Sequence, residues 1–305
     1  MWRYILHRLG QGLLVICLLS VVVFFLAYLT GDPADLLLPM EATQEDKALF
    51  RQKWGLDQPL YVQYGMFAAN ALRGDFGVSY RGGRQVGPLL AQRLANSLGL
   101  VSVSTLLALV VGIPLGVVAA ARKNSAVDYG ARFVAVLGQS APSFFIALVL
   151  MEVFAVRLAL LPTSEMGSLA HYVLPVTTLA WLTTAGILRL VRSSMLDVLD
   201  SDYVKLARIK GVSETRVIWK HALRNALVPV ITFAGVQFAV MIAAAVVVEV
   251  VFAWPGMGRF AYEAVQSRDF PVLRAVILTI SAIVVAVNLA VDVLYAYIDP
   301  RIRYG

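Results

Sequence analysis

Ile231–Val248 reads ITFAGVQFAVMIAAAVVV, eighteen residues without a charge. A helix rises 1.5 Å per residue, so crossing a hydrocarbon core about 30 Å thick takes about 20 mostly apolar residues. The run is continuous rather than alternating apolar with polar, which fits a membrane helix and not a barrel strand. Ala243, Ala244 and Ala245 close it, and Gly112 and Gly116 punctuate another such run. Small residues let helices approach closely in lipid, where the hydrophobic effect gives them little reason to associate.

Working outward, charge-free runs recur at Leu9–Gly31, Leu94–Ala121, Phe133–Met151, Tyr172–Leu188, Ala226–Val248 and Ala275–Val291. They predict an all-α polytopic membrane protein with six transmembrane helices. Composition agrees: of 305 residues 59% are hydrophobic and only 15% charged, where soluble domains carry roughly 45–50% and about 25%. The same figures exclude a disordered, collagen-like or disulfide-built chain, and the lone Cys17 has no partner within the chain. The first run outlasts a signal-peptide core of about 7–15 residues and lacks a small-x-small cleavage site, so it reads as a retained helix. Gly138 and Pro142 predict a kink in the third span.

The net charge is +7, and its placement matters more than its size. Short segments on one side (the N-terminus, Arg122–Arg132, Arg189–Arg224 and the C-terminal tail) carry fifteen Lys and Arg, against four at Arg157 and Arg259–Arg274. Cationic short loops stay in the cytoplasm, so both termini and Arg189–Arg224 are expected there. The 32–93 segment holds the other seven, but segments of that length translocate largely regardless of charge.

Two loops are long enough to fold. In 32–93, Trp54, Tyr61, Tyr64, Phe67 and Phe76 supply apolar mass for a cap, a membrane-interface element or a partner surface. In Arg189–Arg224, Ser201 or Asp202 is placed to cap a helix through Lys210, with Gly211 at the left-handed position beyond its end. Tyr203, Leu206, Ala207 and Lys210 share one face of it. Ser213 is placed to cap a second short helix through about Lys220, and Asn225 and Pro229 mark the return into the membrane. The result is either a compact cytoplasmic knob able to transmit force or a basic loop that only fixes topology.

Polar residues near the bilayer are costly and tend to be functional. Gln139, Ser140, Gln237 and Asn288 are candidates for lining a translocation path, with satisfied helix–helix hydrogen bonds as the alternative. Asp292, four residues after Asn288, is expected to tie a neighbouring helix or Arg301. Glu152 and Glu249 are expected at the outer interface. His7, His171 and His221 form no metal set. Neither a buried nucleophile with its base nor an H-E-x-x-H pair occurs, which argues against an intramembrane enzyme. A stand-alone channel or secondary transporter is the alternative of another class; the scarcity of mid-span charge argues against ion-coupled transport.

Asp202-Tyr-Val-Lys-Leu-Ala-Arg-Ile-Lys-Gly211, followed by His221-Ala-Leu-Arg-Asn225 and Pro229, resembles the EAA loop of binding-protein-dependent ABC importer permeases. Further segments resemble the B-type permease of the dipeptide, oligopeptide and nickel branch. They are Gly31-Asp-Pro33, Gly55-Leu-Asp-Gln-Pro-Leu60, Gly74-Asp-Phe-Gly-Val-Ser79, Glu249-Val-Val-Phe-Ala-Trp-Pro-Gly-Met-Gly258, Arg268-Asp-Phe-Pro271, Asn288-Leu-Ala-Val-Asp292 and Asp299-Pro-Arg-Ile-Arg303. Leu94-Ala-Asn-Ser97 departs from the Pro-Ala-Thr-like entry of relatives, and the short Arg157–His171 segment lacks an insertion found in some dipeptide permeases.

The resemblance implies a type I importer permease fold. Residues 1–31 would form the first span, 32–93 an extracytoplasmic region, 94–298 the five-helix core with a coupling loop at 201–225, and 299–305 a tail. It assigns ATPase coupling to Asp202, Tyr203, Ala207, Lys210, Gly211, His221, Arg224, Asn225 and Pro229. Docking of the binding protein, or an outer gate, falls to Gly55, Asp57, Pro59, Gly74, Asp75, Gly77, Ser79, Glu249, Trp254, Pro255 and Gly256. No phosphate loop of the G-x-x-x-x-G-K-[ST] type occurs in the chain, so ATP and Mg are expected in two partner ATPase subunits and no cofactor or metal here. A second permease and an extracytoplasmic binding protein complete the expected complex in a bacterial inner membrane, with no nucleic acid as partner. Short peptides are the expected substrate, with nickel, a metal chelate or glutathione as alternatives.

Overall fold

The computed structural model describes residues 2–29, 33–39 and 41–298, which are helical almost throughout. The helices are α1 (Trp2–Leu29), α2 (Pro33–Leu37), α3 (Gln44–Trp54), α4 (Leu60–Leu72), α5 (Val86–Ala121), α6 (Ala126–Ser140) and α7 (Ser143–Leu150). They continue with α8 (Ala170–Leu199), α9 (Asp202–Ile209), α10 (Glu214–Arg216), α11 (Leu223–Val251), α12 (Met257–Ser267) and α13 (Phe270–Ile298). Among the described residues the β pairing is one isolated bridge, Val78 to Gln85. Among the described residues five helices (α1, α5, α8, α11 with its N-terminal extension, and α13) are long and apolar enough to cross a membrane, or six with the bent α6–α7 pair counted as one span. The all-α polytopic class read from the sequence is the class observed. Gly31, Asp32 and the 299–305 tail, with Arg301, lie outside the described residues.

Two expectations change. The third span is broken rather than kinked: α6 and α7 meet at 106°. Pro142, which has no N–H to donate into a continuing helix, precedes α7, and Ala141 before it is extended (φ −93°, ψ 126°). The expected second short helix after Ser213 does not end near Lys220. α10 passes through a π-helical segment, Val217–Ala222, directly into α11. Asn225 and Pro229 therefore lie inside a continuous helix rather than at a membrane entry turn, and α11 accommodates the proline as membrane helices do when neighbours satisfy the freed backbone groups.

Contacts divide the chain into two units, Ser97–Pro255 with the chain from Val287 on, and Trp2–Asn96 with Gly256–Ala286; this grouping cuts across the sequential division at 31, 93 and 298. In the first unit, α8 is the central element, flanked by α5, α6, α7 and α11. Ile187, Val191 and Met195 of α8 are buried with Ala226 and Val230 of α11. Gly112-Ile-Pro-Leu-Gly116 brings α5 onto α8: a Cβ at Gly116 would stand 2.6 Å from Val191 Cβ and 2.8 Å from the Leu188 carbonyl oxygen. This is the small-xxx-small device of membrane helices. One residue on from Val191, Arg192 donates two hydrogen bonds to the buried Asp128, Nε at 2.5 Å and Nη2 at 2.8 Å, fastening α6 to α8.

In the second unit, Val86 and Leu90 at the start of α5 are buried with Met257 and Ala264 of α12 and with Val272, Ala275 and Val276 of α13. Helix α3 starts on a capping box: Thr43 Oγ1 accepts from the Asp46 N–H (3.2 Å) while Asp46 Oδ2 accepts from the Thr43 N–H (2.9 Å). The buried Gln63 amide donates to the Leu56 and Gln58 carbonyls (3.2 and 2.7 Å), pinning the turn between α3 and α4. Helix α4 carries no charge and exposes Tyr61, Met66 and Leu72.

Candidate functional site

The 201–225 segment forms a rigid hook. Helix α9 ends at Gly211, whose φ is +77°. The Gly211 N–H donates to the Arg208 carbonyl (2.9 Å) and the Val212 N–H to the Ala207 carbonyl (3.2 Å), which is the Schellman pattern of a helix C-terminus. No atom lies within 4 Å of where a Gly211 Cβ would sit, so the position demands glycine for its backbone and not for space. Beyond the turn, Arg208 bonds both Glu214 oxygens, Nε at 3.1 Å and Nη2 at 2.8 Å. These side-chain bonds raise the Arg208 guanidinium above its ordinary pKa. Asn225 Nδ2, on the first turn of α11, donates to Tyr203 Oη at 2.6 Å and clasps α9 to the spanning helix.

Val204 alone of α9 is buried. Leu206 and Ile209 are 51% and 82% exposed, with Trp219 and Tyr203 also exposed, leaving apolar side chains uncovered among Lys205, Arg208 and Lys210. Ala207 and His221 are half-buried, and Asp202, Lys210, Arg224 and Pro229 are exposed. Ser201 stands at the N-cap position, but its hydroxyl turns back to the Val198 carbonyl.

Three of the four candidate path residues meet. Gln139, Ser140 and Gln237 line a cavity of about 310 Å³ with Thr178, Thr183 and Met241. Its wall includes the break itself, Ser140 to Ser143. Irregular backbone at bilayer depth persists only where protein or a polar cavity satisfies it, so the broken helix and the cavity explain each other. Gly186 lets α8 and α11 close up nearby: a Cβ there would lie 2.8 Å from Phe233 Cζ. Asn288 stands apart from this cavity, exposed on α13. None of the cavity's lining residues is charged.

The outer candidates separate. Gly55, Asp57, Pro59, Gly74, Asp75 and Gly77 are exposed or half-buried. Ser79 is buried, its hydroxyl bonded to Asp269 Oδ2 at 2.5 Å, and the Tyr80 N–H donates to Asp269 Oδ1 at 3.2 Å. Arg81 Nε adds a bond to the Ser267 carbonyl. Two motifs far apart in sequence, Gly74–Ser79 and Arg268–Pro271, are thus bolted together. Glu249 was expected at the interface but is 1% exposed, because Ser97 donates to its Oε1 at 2.5 Å. The backbone N–H of the buried Trp254 donates to the Glu249 carbonyl (2.8 Å), and its ring meets Tyr172 edge-on at 4.6 Å. Gly256 is buried and Pro255 half-buried. Glu152 does stay exposed, paired with Arg157 at 2.9 Å.

Sequence reasoning missed Asp128, Arg192, Thr178 and Thr183, and quoted Asp269 and Ser97 only as members of segments, without their partners. Arg192 had been counted only as a topological cation; the signal available was Asp128 in the first turn of an apolar helix, a costly charge that calls for a partner. Among the described residues no group of three or more His, Cys, Asp or Glu stands close enough to hold a metal ion.

A helical membrane bundle with a hooked loop running straight into a spanning helix, and no nucleotide motif of its own, defines the permease class of ABC importers. The chain belongs to the family of binding-protein-dependent transport system inner membrane components: that family's model matches residues 112–304, and the model of its N-terminal region matches residues 1–101. It is 43% identical over 305 residues, the whole of both chains, to the glutathione transport system permease protein GsiC of Escherichia coli strain K12 and to that of Salmonella choleraesuis. In fold it is similar to the inward-facing MetNI methionine ABC transporter, with TM-score 0.58 and 16% identity, covering 69% of this chain and 96% of that one. An amino acid ABC transporter shows a similar likeness, at TM-score 0.53. The protein is therefore a multi-pass permease subunit of a bacterial inner-membrane importer.

Proposed function

We propose that this permease imports glutathione, or a peptide of similar size and polarity, driven by ATPase subunits that engage the 201–225 loop. The observation that carries the mechanism is the continuity of α10, the π segment and α11. From Glu214 to Gln237 the chain climbs roughly 35 Å at about 1.5 Å per residue, joining the hook to the cavity wall in one element. Tyr203–Asn225 and Arg208–Glu214 hold α9 rigid on that lever. ATP binding in the partner chains moves the hook, α11 carries the motion to Gln237 and Met241, and the cavity is opened to one side and then the other.

Full-length identity to a glutathione permease supports the substrate, and glutathione is itself a short peptide. The neutral cavity, with the Gln139 and Gln237 amides and threonine hydroxyls, suits peptide groups without selecting a sign of charge, which leaves charge selection to the binding protein. The cation asymmetry supports a cytoplasmic hook and cytoplasmic termini, and a second homologous permease would complete the path.

The test is uptake in proteoliposomes holding the two permeases, the ATPases and the binding protein, with ATP supplied on the ATPase side. Labelled glutathione should accumulate only with ATP. Accumulation of nickel or of an ordinary dipeptide, with no glutathione uptake, would replace this substrate.

A further inference from the structure

Within the second unit, α1, α4 and α13 enclose a cavity of about 490 Å³ that the transport path does not use. Its walls are apolar except for Ser20, Tyr64 and Thr279, and the Ser20 and Tyr64 hydroxyls bond each other at 2.8 Å. The room comes from Ala71 on α4 and from Ala282 and Ala286 on α13. Phe67 and Phe76 also wall a second cavity of about 310 Å³, whose largely aromatic lining carries Asn70, Asp75 and Arg274. Arg274 is nine-tenths buried there, its guanidinium 4.5 Å from the Phe24 ring centre and 5.7 Å from that of Phe67.

Position along the helices gives the two chambers a depth. Ile16 lies near the middle of the Ile5–Leu26 span and Ala282 near the middle of Phe270–Val293, so the apolar chamber reaches mid-bilayer. Arg274 stands eight residues from the mid-span Ala282, roughly 12 Å along α13, against a hydrocarbon half-thickness of about 15 Å. The polar chamber is thus close to the edge of the hydrocarbon, next to the headgroups, on the side of the 32–93 region.

We infer that the paired chambers are a binding site for one membrane phospholipid with an amine-bearing headgroup. An acyl chain would fill the apolar chamber, the phosphate would face Arg274, and the ammonium would face Asp75. An apolar helix from a partner would fill the first chamber but bring no group complementary in charge to Asp75 and Arg274 into the second. A wholly anionic headgroup would meet Asp75 unfavourably.

The experiment uses the full chain in nanodiscs of phosphatidylethanolamine and phosphatidylglycerol. A trace of either lipid carries a diazirine near the end of one acyl chain, and adducts are mapped by peptide mass after illumination. With the phosphatidylethanolamine probe, adducts should concentrate on 16–20 and 278–286. Ala282→Phe and, from the opposite wall, Ala71→Phe should each lower them about tenfold, the effect of excluding roughly two methylene groups. Both variants should keep wild-type melting, and adducts on α8 should not change. Asp75→Asn should abolish the preference for the phosphatidylethanolamine probe over the phosphatidylglycerol probe, while Arg274→Gln should lower the adducts of both. Adducts spread evenly over the spanning helices, and unmoved by either phenylalanine, would overturn the site. So would cross-linking of Cys17 to a partner chain in the assembled complex. Equal labelling by the two probes in the wild type would overturn the headgroup assignment.

Discussion

Tyr203 and Asn225 show what a single contact contributes to a lever. Their hydrogen bond, 2.6 Å long and exposed to water, is worth about 0.5–1.5 kcal/mol in stability, a small part of a membrane protein's total. Its value is geometric, because it fixes α9 on the first turn of α11. Tyr203→Phe and Asn225→Ala should each leave melting within about 1 kcal/mol of wild type while lowering transport more than they lower ATP hydrolysis, and the double variant should be no worse than either single one. A fully additive loss in uptake would deny that the pair acts as a unit. Both residues were legible as members of a loop motif; their contact was not, since nothing in the spacing of 203 and 225 says that the intervening hook folds back.

At the scale of elements, close approach and one buried ion pair organise the bundle around α8. Gly116 touches Val191 and the Leu188 carbonyl so tightly that Gly116→Leu has to push α5 away, and overpacking of this kind costs about 1–3 kcal/mol or more. Melting of the purified chain should fall, with Gly130→Leu as the control, because nothing lies within 4 Å of a Cβ at Gly130. Asp128→Asn leaves Arg192 without its counter-ion, and breaking such a buried pair typically costs about 3–5 kcal/mol. Pairing Asp128→Leu with Arg192→Met should recover most of that loss, since apolar replacement of both partners is often neutral. If the double replacement melts as low as Asp128→Asn, the pair is not what limits stability.

The positions of the six spans were readable from uninterrupted apolar runs, because lipid enforces length and polarity directly. The α6–α7 break was readable only in part. Pro142 announces a disturbance, but whether it kinks or splits a helix depends on a polar cavity being present to satisfy the freed backbone. The burial of Glu249 was hidden for the same reason: its partner Ser97 lies 152 positions away.

At the scale of the whole molecule, α11 joins a loop at one of its ends to a cavity along its length. The path residues were legible as polar side chains in apolar spans, three of which converge while Asn288 does not, since convergence depends on helix rotation rather than on polarity. The outer region was legible as a folded mass, but its internal bolt, Asp269 to Ser79 and Tyr80, rests on long-range pairing. Asp269→Ala should loosen that region, with faster proteolysis between Gly74 and Arg84, while the hook in the other unit keeps its protection.

The most direct measurement of the lever is ATP hydrolysis and substrate uptake by the reconstituted complex carrying Gly211→Asp. A side chain at φ +77° strains the turn by about 1 kcal/mol, too little to unfold the chain but enough to misdirect the segment that enters α11. The account predicts normal insertion and complex assembly, with uptake and substrate-stimulated hydrolysis both lost. Wild-type uptake by the Gly211→Asp complex would contradict it.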